Sequence, residues 1–167
     1  MAKYKNKNAK KTSKLDLISR IVSLADKEEK LSQRCKFNFH YFTKQAAGQD
    51  FSGWTHLELI DLLEKIKNFS EKSLKDWEKT PTGSNGALHI LEIYTRFPDN
   101  TDFSEPSHIP VEAKWARFRI KQKVRLIGFV IPEGVKPHEE SEVVFDSNTF
   151  YVVFLDRDHK FWKTEDD

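Results

Sequence analysis

The spacing of apolar positions changes period several times along this chain, and each change marks an element. Leu15, Ile18, Val22 and Ala25 form one helical row, with Leu17, Ile21 and Leu24 beside it, before the pattern turns polar at Glu28 and closes at Leu31. CKFNFHY then alternates Cys35, Phe37, Phe39 and Tyr41 against Lys36, Asn38 and His40, the period of a half-buried strand. In FSGWTHLELIDLLEKIKNFS, Ser52 is placed to cap a helix whose Trp54, Leu57, Leu62, Ile66 and Phe69 share a face. Ser70 is placed to cap a second, shorter helix carrying Leu74 and Trp77, which ends near TPTGSNG. ALHILEIYTRF reads as an extended piece, and the proline-rich PDNTDFSEPSHIP as an irregular loop. Three strand-like runs close the chain: WARFRI, VRLIGFVI and TFYVVFL.

The order predicts an α+β fold in which a helical hairpin, residues 53 to 69 and 70 to 79, packs on a twisted antiparallel β-sheet, with an extra N-terminal helix. Strands 115 to 120, 124 to 131 and 149 to 155 are expected to be neighbours in that sheet. Residues 1 to 14 hold six lysines and no acid, which predicts a disordered basic arm, and residues 15 to 167 read as a single domain.

Composition bounds the class. A chain of 167 residues with 13 Phe, 4 Trp and 4 Tyr has the surface for a core, although 32% of it is charged. Cys35 is the single cysteine, so neither an internal disulfide nor a cysteine-based zinc site is expected. No run approaches the roughly 20 apolar residues that cross a bilayer. A cytoplasmic protein with no membrane partner and no cofactor is the expectation.

Charge becomes informative near the C-terminus. Alternation in WARFRI sets Ala116, Phe118 and Ile120 against Trp115, Arg117 and Arg119, and Lys121, Lys123 and Arg125 follow closely. FYVVFLDRDHKFW then passes from an apolar strand into Asp156, Asp158, His159, Lys160 and Trp162. Such a hairpin and tail read either as a solvated edge that resists aggregation or as a surface for phosphate and nucleobase.

WARFRIKQKVRLIGFVI followed by NTFYVVFLDRDHKFW resembles the RelE/ParE-like superfamily of small bacterial toxins, over about residues 33 to 162. The resemblance implies metal-independent cleavage of messenger RNA. His159, Lys160 and Arg125 would be its catalytic residues, and Arg117, Arg119, Lys121, Lys123 and Trp162 its nucleic-acid contacts. RNA, the ribosome or an antitoxin would be its partners. A histidine suits either proton transfer in attack by a ribose 2′-OH, and cations suit the charge that develops on phosphorus. The helix at 15 to 31, the segment 88 to 110 and the loop 132 to 148 depart from the family's usual, shorter plan.

Two other readings stand beside it. One is a non-catalytic interaction protein, an immunity or phage-defence factor docking a partner through its aromatic surface. The other is a magnesium-dependent nuclease, in which Asp99 and Glu112 hold the metal and Lys114 orients water.

Overall fold

Phe150 to Leu155 form an unbroken apolar run because both faces of their strand are covered, as expected for a central strand buried on two sides. The computed structural model describes residues 30–83 and 85–163; the chain divides into two units, Met1–Ser32 and Gln33–Asp167, and the sheet belongs to the second. The expected basic arm and most of the N-terminal helix lie outside the described residues.

In chain order the elements are β1 (Lys36–Asn38), α1 (His56–Phe69), α2 (Leu74–Lys79), β2 (Pro81–Thr82), β3 (Leu88–His89), β4 (Leu91–Ile93), β5 (Lys114–Lys121), β6 (Val124–Val130) and β7 (Thr149–Asp156). The five-stranded sheet has the order β1-β7-β6-β5-β4, and β2 pairs with β3 apart from it. The three long strands are neighbours and antiparallel, as the sequence predicts. The sheet as a whole is mixed, however, because β1 runs parallel to β7, with Phe37 opposite Phe150. The fold is α+β.

Both helices start later than the sequence reading expects. Thr55, not Ser52, caps α1, and Ser73, not Ser70, caps α2; each forms a capping box, with Glu58 and Asp76 respectively. Ser52 instead lies in a 3₁₀ turn, Phe51–Gly53, capped by Asp50, and Ser70 closes α1.

One layer of core holds Leu62, Phe69 and Leu74 from the helices with Leu91, Phe118, Leu126, Phe150 and Leu155 from the sheet. Phe69 stacks on Phe118 at 4.5 Å, and Cys35 donates its thiol proton to the Phe69 carbonyl at 3.0 Å. Burial pushes that thiol up to about 12, so Cys35 is a packing residue rather than a nucleophile.

The opposite face, expected to be basic and aromatic, is covered as well. Trp115, Ile127, Phe129 and Phe154 pack there under Phe103 of the irregular segment after β4 and Phe161 of the C-terminal tail. Trp115 is 2% exposed and Arg117 8%, so only a small part of either reaches the surface.

A bulge fits β7 to both layers. Ile127 pairs with Phe154 but Gly128 pairs with Val152, leaving Val153 as an extra residue, so that Val153 and Phe154 both serve the second layer. Gly128 allows the close approach: a Cβ there would lie 2.1 Å from the Tyr151 carbonyl oxygen and 2.7 Å from the Phe150 ring. Gly128→Ala should therefore destabilise the fold by about 3 kcal/mol, read as a lower urea midpoint with an unchanged slope.

Candidate functional site

Strand alternation carries charge as well as apolar packing. On the face of Trp115, β5 next presents Arg117 and Arg119; β6 presents Arg125 beyond Ile127; and β7 presents Asp156 beyond Phe154. Arg119 pairs with Arg125, which pairs with Asp156, so one end of this face is a charged row laid across three strands.

Glu92 of β4, in register with Arg117, ties the row together. Arg117 donates to Glu92 Oε2 from Nε at 2.9 Å and also from Nη2, while Arg119 Nη2 donates to Oε1 at 2.8 Å. Arg119 Nε reaches the His89 carbonyl at 3.0 Å, and the Tyr94 hydroxyl donates to Glu92 Oε2 at 3.0 Å. Burial would raise the Glu92 carboxyl, but the hydrogen bond from Arg119 and the charge of Arg117 outweigh it and hold the group at about 2. Burial pushes the Tyr94 hydroxyl up.

Asp156 shapes the chain beyond β7. Fully buried, it accepts backbone N–H bonds from Asp158 at 3.2 Å, Lys160 at 3.0 Å and Phe161 at 2.9 Å. The chain turns back here, with His159 in the left-handed region at φ 63°. The tail is fixed further along by Asp102 N–H to the Lys160 carbonyl and Lys163 N–H to the Asn100 carbonyl, both 3.1 Å.

This turn sets His159 Nε2 3.2 Å from Arg117 Nη1. A guanidinium can only donate, so the contact is a hydrogen bond in the tautomer that carries the ring proton on Nδ1 and leaves Nε2 to accept. Trp162 stacks on Tyr94 at 4.5 Å, and the Arg117 guanidinium lies 5.6 Å from the Tyr94 ring centre. The result is an imidazole nitrogen beside a guanidinium, two arginines oriented by one carboxylate, and a stacked aromatic pair at the sheet's edge.

The residues singled out from sequence divide into three groups. Arg117, Arg119, His159 and Trp162 come together around Glu92 and Tyr94. Arg125 lies deeper, 6% exposed, with Nη1 donating to the Val124 carbonyl at 3.0 Å and to the Gln122 carbonyl. Burial, reinforced by Arg119 and Arg117, lowers it to about 10. Lys160 turns toward Asp158 at 3.8 Å, Lys121 pairs with Asp61 at 3.1 Å, and Lys123 is exposed at the β5–β6 turn.

Glu92 and Tyr94 were not singled out. The signal was present in LEIY, where an acid interrupts an apolar strand and shares its parity with a tyrosine.

The proposed magnesium ligands do not converge. Asp99 pairs with Arg96 at 2.7 Å and lines a cavity under Trp115, whereas Glu112 lines a separate one beside Tyr151. No group of three or more histidine, cysteine or acidic side chains is arranged to hold a metal among the described residues. Nor is any described helix long and apolar enough to cross a membrane.

Comparison with family models, with curated proteins and with solved structures gives no match.

The Glu92 cluster has a consequence for stability. Above pH 4.5, the group's ordinary value, the carboxylate is ionised in the folded and unfolded chain alike. Between 4.5 and about 2 only the unfolded chain takes up the proton, so stability falls with pH and this contribution is lost below about 2. Glu92→Gln should cost about 2–3 kcal/mol at neutral pH by leaving two arginines under-compensated. It should also flatten the decline in acid relative to the parent, checked by denaturant titrations at pH 7, 4.5 and 3.

Proposed function

We propose that this chain acts on RNA as a metal-independent, toxin-type endoribonuclease, with a phosphodiester seated against Arg117 and Arg119 and a ribose 2′-OH against His159. One observation carries the reading: the 3.2 Å contact between Arg117 Nη1 and His159 Nε2. It puts a nitrogen able to take a proton beside a cation able to stabilise phosphoryl charge.

The chemistry rests on those positions. An arriving phosphate draws Arg117 Nη1 away from the imidazole, releasing Nε2 to the 2′-OH. His159 takes the hydroxyl proton as the 2′-oxygen bonds to phosphorus, and the P–O bond to the 5′-oxygen breaks. The ammonium of Lys160, its side chain 39% exposed, supplies the proton that the leaving oxygen needs. The products are a 2′,3′-cyclic phosphate and a 5′-hydroxyl. Glu92 keeps both guanidiniums in place, so the charge that meets the substrate is oriented beforehand.

The reading extends the resemblance to RelE/ParE-like toxins, including a helical pair on a sheet and recognition on the ribosome. It assigns Arg125 a supporting role, since its guanidinium is engaged by backbone carbonyls.

A second reading has its own support. Leu57, Ile60 and Leu63 of α1 are 73%, 44% and 63% exposed, an apolar stripe suited to a protein partner such as an antitoxin or another defence factor.

Expression and cleavage assays separate the two. The parent should arrest bacterial growth and cleave RNA, with or without ribosomes, in the presence of chelator. His159→Ala should lower cleavage by about 10²–10⁴-fold, and Arg117→Ala by a comparable factor, both variants remaining folded. Unimpaired growth and intact RNA with a folded parent would move the function to the α1 surface.

A further inference from the structure

The sheet face that carries Arg117 and Arg119 at one end carries the opposite charge at the other. Trp115 pairs with Phe129 and Phe129 with Tyr151, so the start of β5, the end of β6 and the start of β7 lie together, away from Arg119, Arg125 and Asp156. A cavity of about 250 Å³ opens there. Tyr41, Tyr151, Pro110, Pro137 and Phe145 line it, each with some surface exposed, and fully buried Phe129 backs Tyr151, on which it stacks at 4.8 Å.

The loop between β6 and β7 builds one side. It leaves the cavity wall at Pro137 and returns at Phe145, whose N–H donates to the Val135 carbonyl at 2.9 Å; between them Ser141 N–H donates to the His138 carbonyl at 3.0 Å. Chain length alone keeps Glu139, Glu140 and Glu142 within about 11 Å of the wall, because none is more than three positions from Pro137 or Phe145. Glu133 and Asp146 of the same loop are paired, with Lys75 at 4.0 Å and with Lys36. Glu139, Glu140 and Glu142 are exposed and make no ion pair among the described residues, and the same holds for Glu112 in the cavity wall.

Beside these acids the chain exposes apolar surface. Val143, Val144 and Phe145 are consecutive and 66%, 48% and 40% exposed. Acids flanking such a run also guard against aggregation. Guarding requires no cavity, however, and here the run ends on the wall of one. Covering it removes apolar area from water at about 25 cal/mol per Å².

Charge decides what covers it. Unpaired carboxylates repel a phosphate backbone or an anionic membrane and attract lysine and arginine. Size narrows the choice further: ligand sites commonly enclose about 300–1,000 Å³, so this smaller space suits a single large side chain.

We propose that this end of the sheet docks a basic polypeptide segment, which seats one large apolar side chain between Tyr41, Tyr151 and Phe145 and sets flanking lysines or arginines against Glu112, Glu139, Glu140 and Glu142. The surface is separate from the α1 stripe and independent of the RNA reading of the charged row.

The test selects binders of the full chain from a phage-displayed library of random peptides. Sequences with Leu, Phe or Trp flanked by Lys or Arg should be enriched, and a synthetic peptide of the enriched consensus then serves as the probe in fluorescence anisotropy. Phe145→Ser should weaken its binding about tenfold, the loss expected of one central contact. Glu139→Gln, Glu140→Gln and Glu142→Gln together should weaken it by about tenfold as well and flatten its salt dependence. Leu57→Ser on α1 should leave the affinity unchanged. All of these side chains are exposed, so the fold should tolerate the changes. Amide shifts need no variant: adding the peptide to the parent should move the signals of Val143 to Phe145 and of Tyr151. Selected peptides without that pattern, shifts confined to other surfaces, or an affinity that survives either Phe145→Ser or the triple change would overturn the proposal. Loss of binding in Leu57→Ser would overturn it too, by moving the contact to α1.

Discussion

A buried carboxylate at the end of the last strand organises the second face of this protein. Asp156 is fully buried, and its two oxygens gather the N–H groups of Asp158, Lys160 and Phe161. Without that anchor an extended strand would run off the sheet edge into solvent. With it, the chain reverses, Phe161 drops onto Phe154 and Trp115, Trp162 reaches Tyr94, and His159 arrives beside Arg117. The packing and the grouping of charges on this face have one cause, which is why a hydrophobic strand ends in a cluster of charges.

The same turn completes an electrostatic arrangement that would otherwise be unfavourable. Arg119 and Arg125 lie directly opposite each other on adjacent strands, a like-charge pair that destabilises a sheet in isolation. Glu92 compensates from one side and Asp156 from the other, and backbone carbonyls accept from Arg119 Nε and Arg125 Nη1, while Arg125 Nε is buried without a partner among the described residues. Such an array contributes little net stability compared with an apolar core of the same volume, but removing any one member leaves a charge uncompensated. Its structural effect is to hold cations at fixed positions at the rim of a covered sheet, the condition that phosphate chemistry requires.

Legibility in the sequence followed periodicity. β5, β6 and β7 were readable because alternation and a short polar turn fix strands locally, and α1 because its apolar residues recur at helical spacing. The caps were misplaced by three residues in each helix, although THLE and SLKD both carry the capping-box pattern and point to Thr55 and Ser73. The parallel pairing of β1 was not readable, since residues 36 and 149 are brought together by the path of the whole chain rather than by a local signal. The cover over the second face was equally hidden: Phe97, Phe103 and Phe161 lie in irregular segments with no period to betray their burial. For that reason Arg117 and Arg119 read as exposed cations, either a solvated edge or nucleic-acid contacts, and Glu92, their partner on another strand, drew no notice.

If Asp156 is the anchor of this face, its removal should release the tail and spare the sheet. The direct measurement is amide hydrogen exchange, residue by residue, in the parent and in Asp156→Ala. Protection should be lost at Lys160 and Phe161 and at Asp102, which donates to the Lys160 carbonyl, while the β5–β6 ladder stays protected. Unchanged protection of Lys160 and Phe161 in the variant would contradict the account, because the tail would then be held by its aromatic contacts and its bonds to the Asn100–Asp102 segment without Asp156.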